Sequence, residues 1–145
     1  MRQPCDQLLP HSGLSLKDLD NFRSFNEAGG HQEGDAALRL VAGALRDEMR
    51  TSDLAFRVGG DEFALVLPDT VATSGAALLE RVRVALAGTH LGPLSITAGV
   101  AEAPADGGDL ATLYAAADEA LYAGKHAGRG RVVIARDRAQ IRSQD

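Results

Sequence analysis

The sequence contains one cysteine, no tryptophan, two tyrosines and four phenylalanines. Because the lone Cys5 cannot form an internal disulfide and has no neighbouring cysteine or histidine, we expect a reducing compartment. So few aromatic side chains offer no platform on which nucleic-acid bases could stack. A net charge of −5 also argues against DNA as a partner, because general DNA binding depends on clustered lysine and arginine. A local cluster of cations could still hold a single nucleotide.

No apolar run is long enough to span a membrane, and residues 1–16 lack the apolar core of a signal peptide. We therefore expect a soluble, cytoplasmic protein with no membrane contact. With 145 residues, of which 45% are hydrophobic and 24% charged, the chain has the size and composition of one globular domain.

Polar residues mark the two ends of the chain as separate from this domain. We predict that residues 1–12 form a disordered tail, natural or added by cloning, and that residues 138–145 form a polar C-terminal tail. Residues 13–137 contain no internal repeat and no linker, so we expect them to form the domain.

The spacing of apolar residues predicts the order strand, helices, hairpin, helix, strand, helix, strand. The predicted strands are 14–20, 54–58, 63–67, 94–100 and 131–135, and the first predicted helix is 21–28. This order favours an α/β (α+β) fold with a single mixed, mostly antiparallel central sheet flanked by helices.

Three longer helices are predicted from short polar residues that precede an apolar stripe, the usual N-cap pattern. Asp35 is the predicted N-cap of the first, Thr73 or Ser74 of the second, and Asp109 of the third. The inward-facing residues of these helices are Leu38, Val41, Leu45 and Met49, then Leu78, Leu79, Val82 and Leu86, then Leu110, Leu113, Ala117 and Leu121.

The most informative stretch is residues 56–67, where two apolar runs meet at a Gly-Gly pair and predict a β-hairpin. Asp61 and Glu62 lie at its tip, where the second strand begins. Glycine accepts positive φ and lets a ligand approach the backbone closely. Adjacent carboxylates need a cation or solvent to offset their repulsion. The tip is therefore a candidate site for a metal ion and a phosphate.

Five ordered segments resemble motifs of the GGDEF domain, the catalytic module of bacterial diguanylate cyclases. Gly-Gly-Asp-Glu-Phe at 59–63 matches the signature, and Asp-Leu-Asp-Asn-Phe-Arg at 18–23 resembles D-x-D-x-F-K. The segments similar to N-D-x-x-G-H-x-x-G-D, S-I-G-V and A-D-x-A-L-Y-x-A-K-x-x-G-R lie at 26–35, 96–100 and 117–129. The resemblance implies a nucleotidyl-cyclase-like fold with the signature on a hairpin.

The resemblance implies that two GTP molecules condense into cyclic di-GMP with release of pyrophosphate. It assigns Mg²⁺ or Mn²⁺ to carboxylates of Asp18 and Asp61, with the backbone carbonyl of Leu19 as a third ligand. Asp61 is also expected to accept the proton of the attacking 3′-hydroxyl. Glu62 has two alternative roles, binding a second metal ion or facing water. Such phosphoryl transfer requires positioning and charge neutralisation more than covalent chemistry.

The resemblance also implies a GTP site. Asn26 and Asp35 match positions that contact guanine, and Asp35 could serve as an N-cap at the same time. His31 either lines the base pocket or is structural. Lys125 and Arg129 match residues that bind the terminal phosphates, while Gly59 and Gly60 let the nucleotide approach. Arg23, where the family has lysine, matches a residue that stabilises the transition state, and its different geometry could slow turnover.

An Arg-x-x-Asp segment, Arg50 to Asp53, precedes the signature at the spacing of the family's product-inhibition site. Arginine can clamp a phosphate or a guanine edge, and the carboxylate can accept from the base. Arg81 is expected to add a second cation from another subunit's surface. The implied ligand of this site is cyclic di-GMP.

The chain departs from the family pattern at its start. The family's D-x-L-T segment and helix do not precede the first strand, and Lys17 occupies a strand position that is usually apolar. Because catalysis needs two facing half-sites, a homodimer is implied, and its formation could be weak here. The alternative is a catalytically weak or inactive module that binds cyclic di-GMP or GTP. A cyclase making cyclic AMP or GMP is a third option, which Asn26 and Asp35 disfavour.

Overall fold

The computed structural model describes residues 12–89 and 94–142, so the predictions for residues 1–11 and 143–145 lie outside the described residues. The elements in chain order are β1 Gly13–Leu19, α1 Phe22–Gly29, α2 His31–Glu48, β2 Leu54–Arg57, β3 Glu62–Leu67, α3 Ala72–Ala87, β4 Ile96–Glu102, α4 Leu110–His126, β5 Val132–Ile134, a 3₁₀ turn Ala135–Asp137 and α5 Arg138–Arg142. No helix in this part of the chain has both the length and the apolar character needed to cross a membrane.

The strands form one sheet in the order β2-β3-β1-β4-β5. The central strand β1 pairs antiparallel with β3 and β4, and β2 pairs antiparallel with β3. Only the β4–β5 pair is parallel among the described strands. The predicted mixed, mostly antiparallel sheet with flanking helices is confirmed.

Each face of the sheet carries its own hydrophobic core, because successive side chains of a strand point to opposite faces. The apolar stripes of α2 and α3 pack around Leu19 and Phe63 on one face, and α4 packs around Leu14 on the other. A Cβ atom on Gly99 would lie 2.2 Å from the carbonyl oxygen of Ala117, so only glycine lets α4 lie this close to β4. Leu110, predicted to face inward, is 43% exposed.

Two predicted N-caps are wrong. Helix α2 begins at His31, directly after Gly30 with φ +84°, and Asp35 is an exposed residue of its second turn. The glycine adopts a conformation that side chains disfavour, so the chain turns there and the helix starts earlier than the polar pattern suggests.

Helix α3 begins at Ala72, before either Thr73 or Ser74. Its first N–H is bound by the Glu102 side chain of β4, with the Ala72 nitrogen 3.2 Å from Oε1. A cap supplied from a distant strand leaves no local pattern in the sequence. The third prediction is confirmed, since Asp109 and Thr112 form a reciprocal capping box at α4.

Two further boundaries differ from the prediction. Strand β4 extends to Glu102 because that residue pairs with Gly13 at the start of β1. Residues 138–142, predicted as part of a polar tail, form α5, where the Arg138 guanidinium lies 3.1 Å from the Glu119 carboxylate of α4.

Candidate functional site

The ends of β1 and β3 bring three acidic residues together. In the antiparallel register Asp18 lies opposite Glu62, and the backbone N–H of Leu19 donates to the Asp61 carbonyl at 3.1 Å. The sheet therefore gathers residues separated by more than 40 positions in the chain. All three acidic side chains are partly buried.

Mutual repulsion and burial shape the charge of this acidic group. Burial and the nearby Asp18 carboxylate raise the pKa of Asp61, against a smaller lowering effect of Lys125. The pKa of Glu62 is also raised, first by burial and then by Asp18. The Lys125 ammonium pairs with one oxygen of Asp18. The other oxygen, Oδ1, is buried without a hydrogen-bond partner among the described residues.

These residues fit a hard divalent cation. An unpartnered carboxylate oxygen beside a second carboxylate is a donor set that favours such an ion. No group of three or more His, Cys, Asp or Glu side chains in residues 12–89 and 94–142 forms a complete metal centre. That is consistent with magnesium chemistry, in which one or two carboxylates act together with substrate phosphates and water.

The signature turn is held by Arg57, which the sequence patterns did not single out. Its guanidinium donates to the carbonyl of Gly59 at 3.1 Å and to that of Gly60 at 2.7 Å. Neither glycine has positive φ, so the expectation that the Gly-Gly pair supplies a left-handed backbone conformation is wrong. A Cβ on Gly60 would meet no atom within 4 Å, and the space over this turn is therefore open to a ligand. The sequence does offer one indication of this role, because an arginine two residues before the signature is close enough to reach the carbonyls of its glycines.

The predicted guanine-contact residues lie at the start of α2 and the end of α1. Asn26 Nδ2 lies 3.5 Å from His31 Nδ1. Asp35 and Arg57 line a shared cleft of about 300 Å³ between α2 and the hairpin. Arg23 is 93% exposed and pairs with Glu27 on its own helix, at 3.3 Å. The structure thus gives Asp35 a cleft beside the signature and gives Arg23 no contact with it.

The predicted phosphate-binding cations lie at the end of α4 and in the loop that follows. Lys125 is in the last turn of α4 and faces Asp18. Arg129 is exposed, with φ +63°, between Gly128 at +117° and Gly130 at +58°. The backbone N–H of Gly130 donates to the carboxylate of Asp20 at 3.0 Å. Asp20, the second acid of the D-x-D segment, was assigned no role from the sequence.

Lys17 is buried inside the core formed with α2 and α3. It is 1% exposed, and its Nζ has no hydrogen-bond partner in the described part of the chain. Burial lowers the pKa of Lys17 to about 7. Its side chain lies on the opposite face of β1 from Asp18, so it does not enter the acidic group.

The Arg-x-x-Asp segment forms a compact turn. The Arg50 guanidinium lies 2.9 Å from the buried Asp53 carboxylate and 2.7 Å from the Thr70 hydroxyl. Arg81 pairs with Glu48 at 2.7 Å. Arg50, Asp53 and Arg81 line one cleft of about 310 Å³, so Arg81 belongs to the same surface of the same chain.

Known proteins resemble this chain over most of its length. The family profile described as "Diguanylate cyclase, GGDEF domain" matches residues 6–131. The diguanylate cyclase DgcP of Pseudomonas aeruginosa is 39% identical over 127 residues, which cover 84% of this chain and 19% of DgcP. The chain therefore corresponds to a small part of that curated relative.

Solved structures agree with the observed fold. The GGDEF domain of DgcB from Caulobacter crescentus, in complex with c-di-GMP, has a TM-score of 0.79 and 35% identity, covering 86% of this chain and 78% of that one. The active GGEEF domain of a diguanylate cyclase from Vibrio cholerae has a TM-score of 0.79 and 31% identity, covering 85% and 81%.

Proposed function

The chain belongs to the GGDEF domain family of diguanylate cyclases, and from this premise we propose that it condenses two GTP molecules into cyclic di-GMP and two pyrophosphates. The observation that supports this most is the meeting of Asp18 and Asp61 beside Lys125 at the ends of two paired strands. Carboxylates and an ammonium in this arrangement suit the binding of a metal-bound triphosphate.

In each half-reaction, the 3′-oxygen of one GTP forms a bond to the α-phosphorus of the other. The bond from that phosphorus to the oxygen bridging to the β-phosphate breaks, and pyrophosphate leaves. Asp61 takes the proton of the attacking hydroxyl. A carboxylate whose pKa is raised by burial and by Asp18 is a better proton acceptor than a solvated one.

Binding and orientation are assigned to residues around the acidic group. Asn26 and Asp35 contact the guanine edge through amide and carboxylate groups, with His31 beside them. Gly59 and Gly60 let the nucleotide approach the open signature turn. The cations assigned to the phosphates are Lys125, Arg129 and, in the transition state, Arg23.

Diguanylate cyclases with this domain depend on a divalent metal ion, and we assign Mg²⁺ or Mn²⁺ here. Asp18, Asp61, Glu62 and the carbonyl of Leu19 would hold it. Bound there, the ion would neutralise charge on the phosphates of GTP.

Catalysis requires two such sites facing one another, since each holds one GTP. We therefore propose a homodimer as the active form, acting in the cytoplasm, where GTP is available. Cyclic di-GMP is further proposed to inhibit the enzyme at the cleft lined by Arg50, Asp53 and Arg81.

Incubation of the concentrated protein with GTP and Mg²⁺, followed by chromatography of the nucleotides, tests the activity. Wild-type protein and an Asp47→Asn control, altered at an exposed site on α2, are expected to form cyclic di-GMP, and Asp61→Asn is not. Absence of product from wild-type protein, even when fused to a dimeric coiled coil, would show that the domain is not a cyclase.

A further inference from the structure

We propose that Asp20 is a positioning residue for GTP, holding the loop 128–130 and thereby Arg129 in the orientation that receives the terminal phosphates. This inference rests on the proposed function, because it takes GTP as the ligand and Arg129 as its phosphate contact. Asp20 is 3% exposed, so it acts through the loop and not by touching the nucleotide.

The Asp20 carboxylate joins three separate segments. It accepts hydrogen bonds from the Thr97 hydroxyl, with Oγ1 2.8 Å from Oδ1, and from the Ser95 hydroxyl. It also accepts from the Gly130 N–H at 3.0 Å, and the same N–H lies 3.0 Å from the Thr97 oxygen. The end of β1, the start of β4 and the loop after α4 therefore share one anchor.

All of these partners are donors, and an ionised carboxylate is an acceptor only. Three donors converging on one buried carboxylate satisfy it without a cation, and each bond is charge-assisted. An amide in its place would present an N–H group where a hydroxyl or backbone donor now points. The arrangement is therefore specific for aspartate.

The loop needs such an anchor because its backbone is unusual. Gly128, Arg129 and Gly130 all have φ between +58° and +117°, a region that residues other than glycine rarely adopt. The other hydrogen bonds of the loop lie at Gly128 and Arg129. The Gly128 N–H donates to the Lys125 carbonyl at 3.5 Å, the Arg129 N–H donates to the Gly124 carbonyl at 3.0 Å, and the Arg131 side chain donates to the Arg129 carbonyl at 3.1 Å. Releasing Gly130 would let Arg129 leave its orientation.

The anchor also couples the two ends of a bound triphosphate. Asp20 follows Asp18 and Leu19 directly, so the residue that holds the phosphate loop lies on the same strand end as the proposed metal ligands. The Asp20 side chain thereby holds Arg129 at a fixed distance from the proposed metal ligands. We therefore expect loss of Asp20 to weaken the binding of ligands that carry β- and γ-phosphates more than the binding of ligands that lack them.

Hydrogen exchange of the Gly130 amide tests the anchor without any nucleotide. Asp20→Asn and Thr97→Val are expected to speed this exchange at least about tenfold. Asp109→Asn is the matched control, because it alters a carboxylate bound by a threonine hydroxyl and a backbone N–H at the opposite end of α4. Ser95→Ala is the milder variant if Asp20→Asn does not fold. If the exchange rate of the Gly130 amide is unchanged in folded variants, the positioning role of Asp20 is overturned, whereas the proposed function is not affected.

Nucleotide binding tests the consequence. Asp20→Asn is expected to weaken GTP binding about tenfold, while the affinity for GMP changes less than about twofold. In a protein that already carries Arg129→Ala, adding Asp20→Asn should not change the affinity for GTP or for GMP any further. Equal losses for GTP and GMP, or additive effects with Arg129→Ala, would mean a structural role only and overturn the inference. Failure of wild-type protein to bind GTP would instead overturn the proposed function, and the exchange result would stand apart from it.

Discussion

The ammonium group of Lys125 pairs with the carboxylate of Asp18, joining the last turn of α4 to the end of β1 across 107 positions of sequence. The pair brings one positive charge into a group of acidic side chains that repel one another. Because Asp18 keeps a second, buried oxygen without a partner in the described chain, it can meet the lysine and a metal ion at once. Lys125 and Asp18 thus have opposite electrostatic effects on the pKa of Asp61.

Opposite changes in the pKa of Asp61 are expected from the two members of this pair. Asp18→Asn removes a repelling charge and should lower that pKa, whereas Lys125→Met removes an attracting charge and should raise it. Carboxyl NMR titration of the metal-free protein measures both. An Asp118→Asn control should leave Asp61 nearly unchanged, and shifts of the same sign in the first two variants would contradict the electrostatic account.

Replacing Lys17 should stabilise the protein in a pH-dependent way. Its folded-state pKa of about 7 lies below the ordinary value of 10.5, so the unfolded chain binds the proton more tightly and stability rises with pH between these values. The expected slope is about 1.4 kcal/mol per pH unit. Lys17→Met should remove this slope and raise the free energy of unfolding most below pH 7, where the wild-type protein bears the full cost of the buried lysine.

Urea unfolding from pH 6 to pH 9 measures the effect of Lys17→Met. Ser15→Ala is the matched control, because it removes from the same face of β1 a buried polar atom that has no hydrogen-bond partner among the described residues, without removing a titrating group. A constant difference between wild-type protein and Lys17→Met over this range would show that Lys17 is charged in the folded state.

Arg57 should be needed for turnover through the shape of the signature turn. Arg57→Lys keeps the charge but loses the planar fork that reaches the carbonyls of Gly59 and Gly60. We expect a fall in kcat/KM of about tenfold with little change in Tm. Arg83→Ala, which alters an arginine paired within α3, is the control. Full activity of Arg57→Lys would leave the positive charge as the only contribution.

Arg81 offers the cleaner test of product inhibition, because Arg50 also supports its own turn through Asp53 and contacts the segment after β3 through Thr70. Arg81→Ala is expected to weaken cyclic di-GMP binding about tenfold without lowering the initial rate of GTP turnover. Calorimetry and initial-rate assays measure the two effects, with Arg83→Ala on the same helix as control. Unaltered affinity in Arg81→Ala would exclude this residue from the inhibitory cleft.

Much of the fold followed from local pattern. Alternating apolar residues placed β1, β2 and β3 to within two residues. The Asp109 cap followed from the N-cap pattern, and the inward stripes of α2, α3 and α4 followed from periodicity except at Leu110. These features depend on interactions between residues close in sequence, so the local sequence is enough to predict them. The two wrong helix starts had other causes, a glycine turn at Gly30 and a cap given by Glu102 from a distant strand.

The sequence alone determined the family, the sheet-and-hairpin plan and the residue types that a metal-bound nucleotide would require, because these depend on motif order and hydrophobic period. Only the tertiary structure decided how those residues act on one another. The pairing of Lys125 with Asp18 and the anchor made by Asp20 each join segments that are distant in sequence. The burial of Lys17 likewise depends on the core assembled on its face of the sheet. Burial and charge separation are properties of the assembled sheet and helices, and no local pattern encodes them.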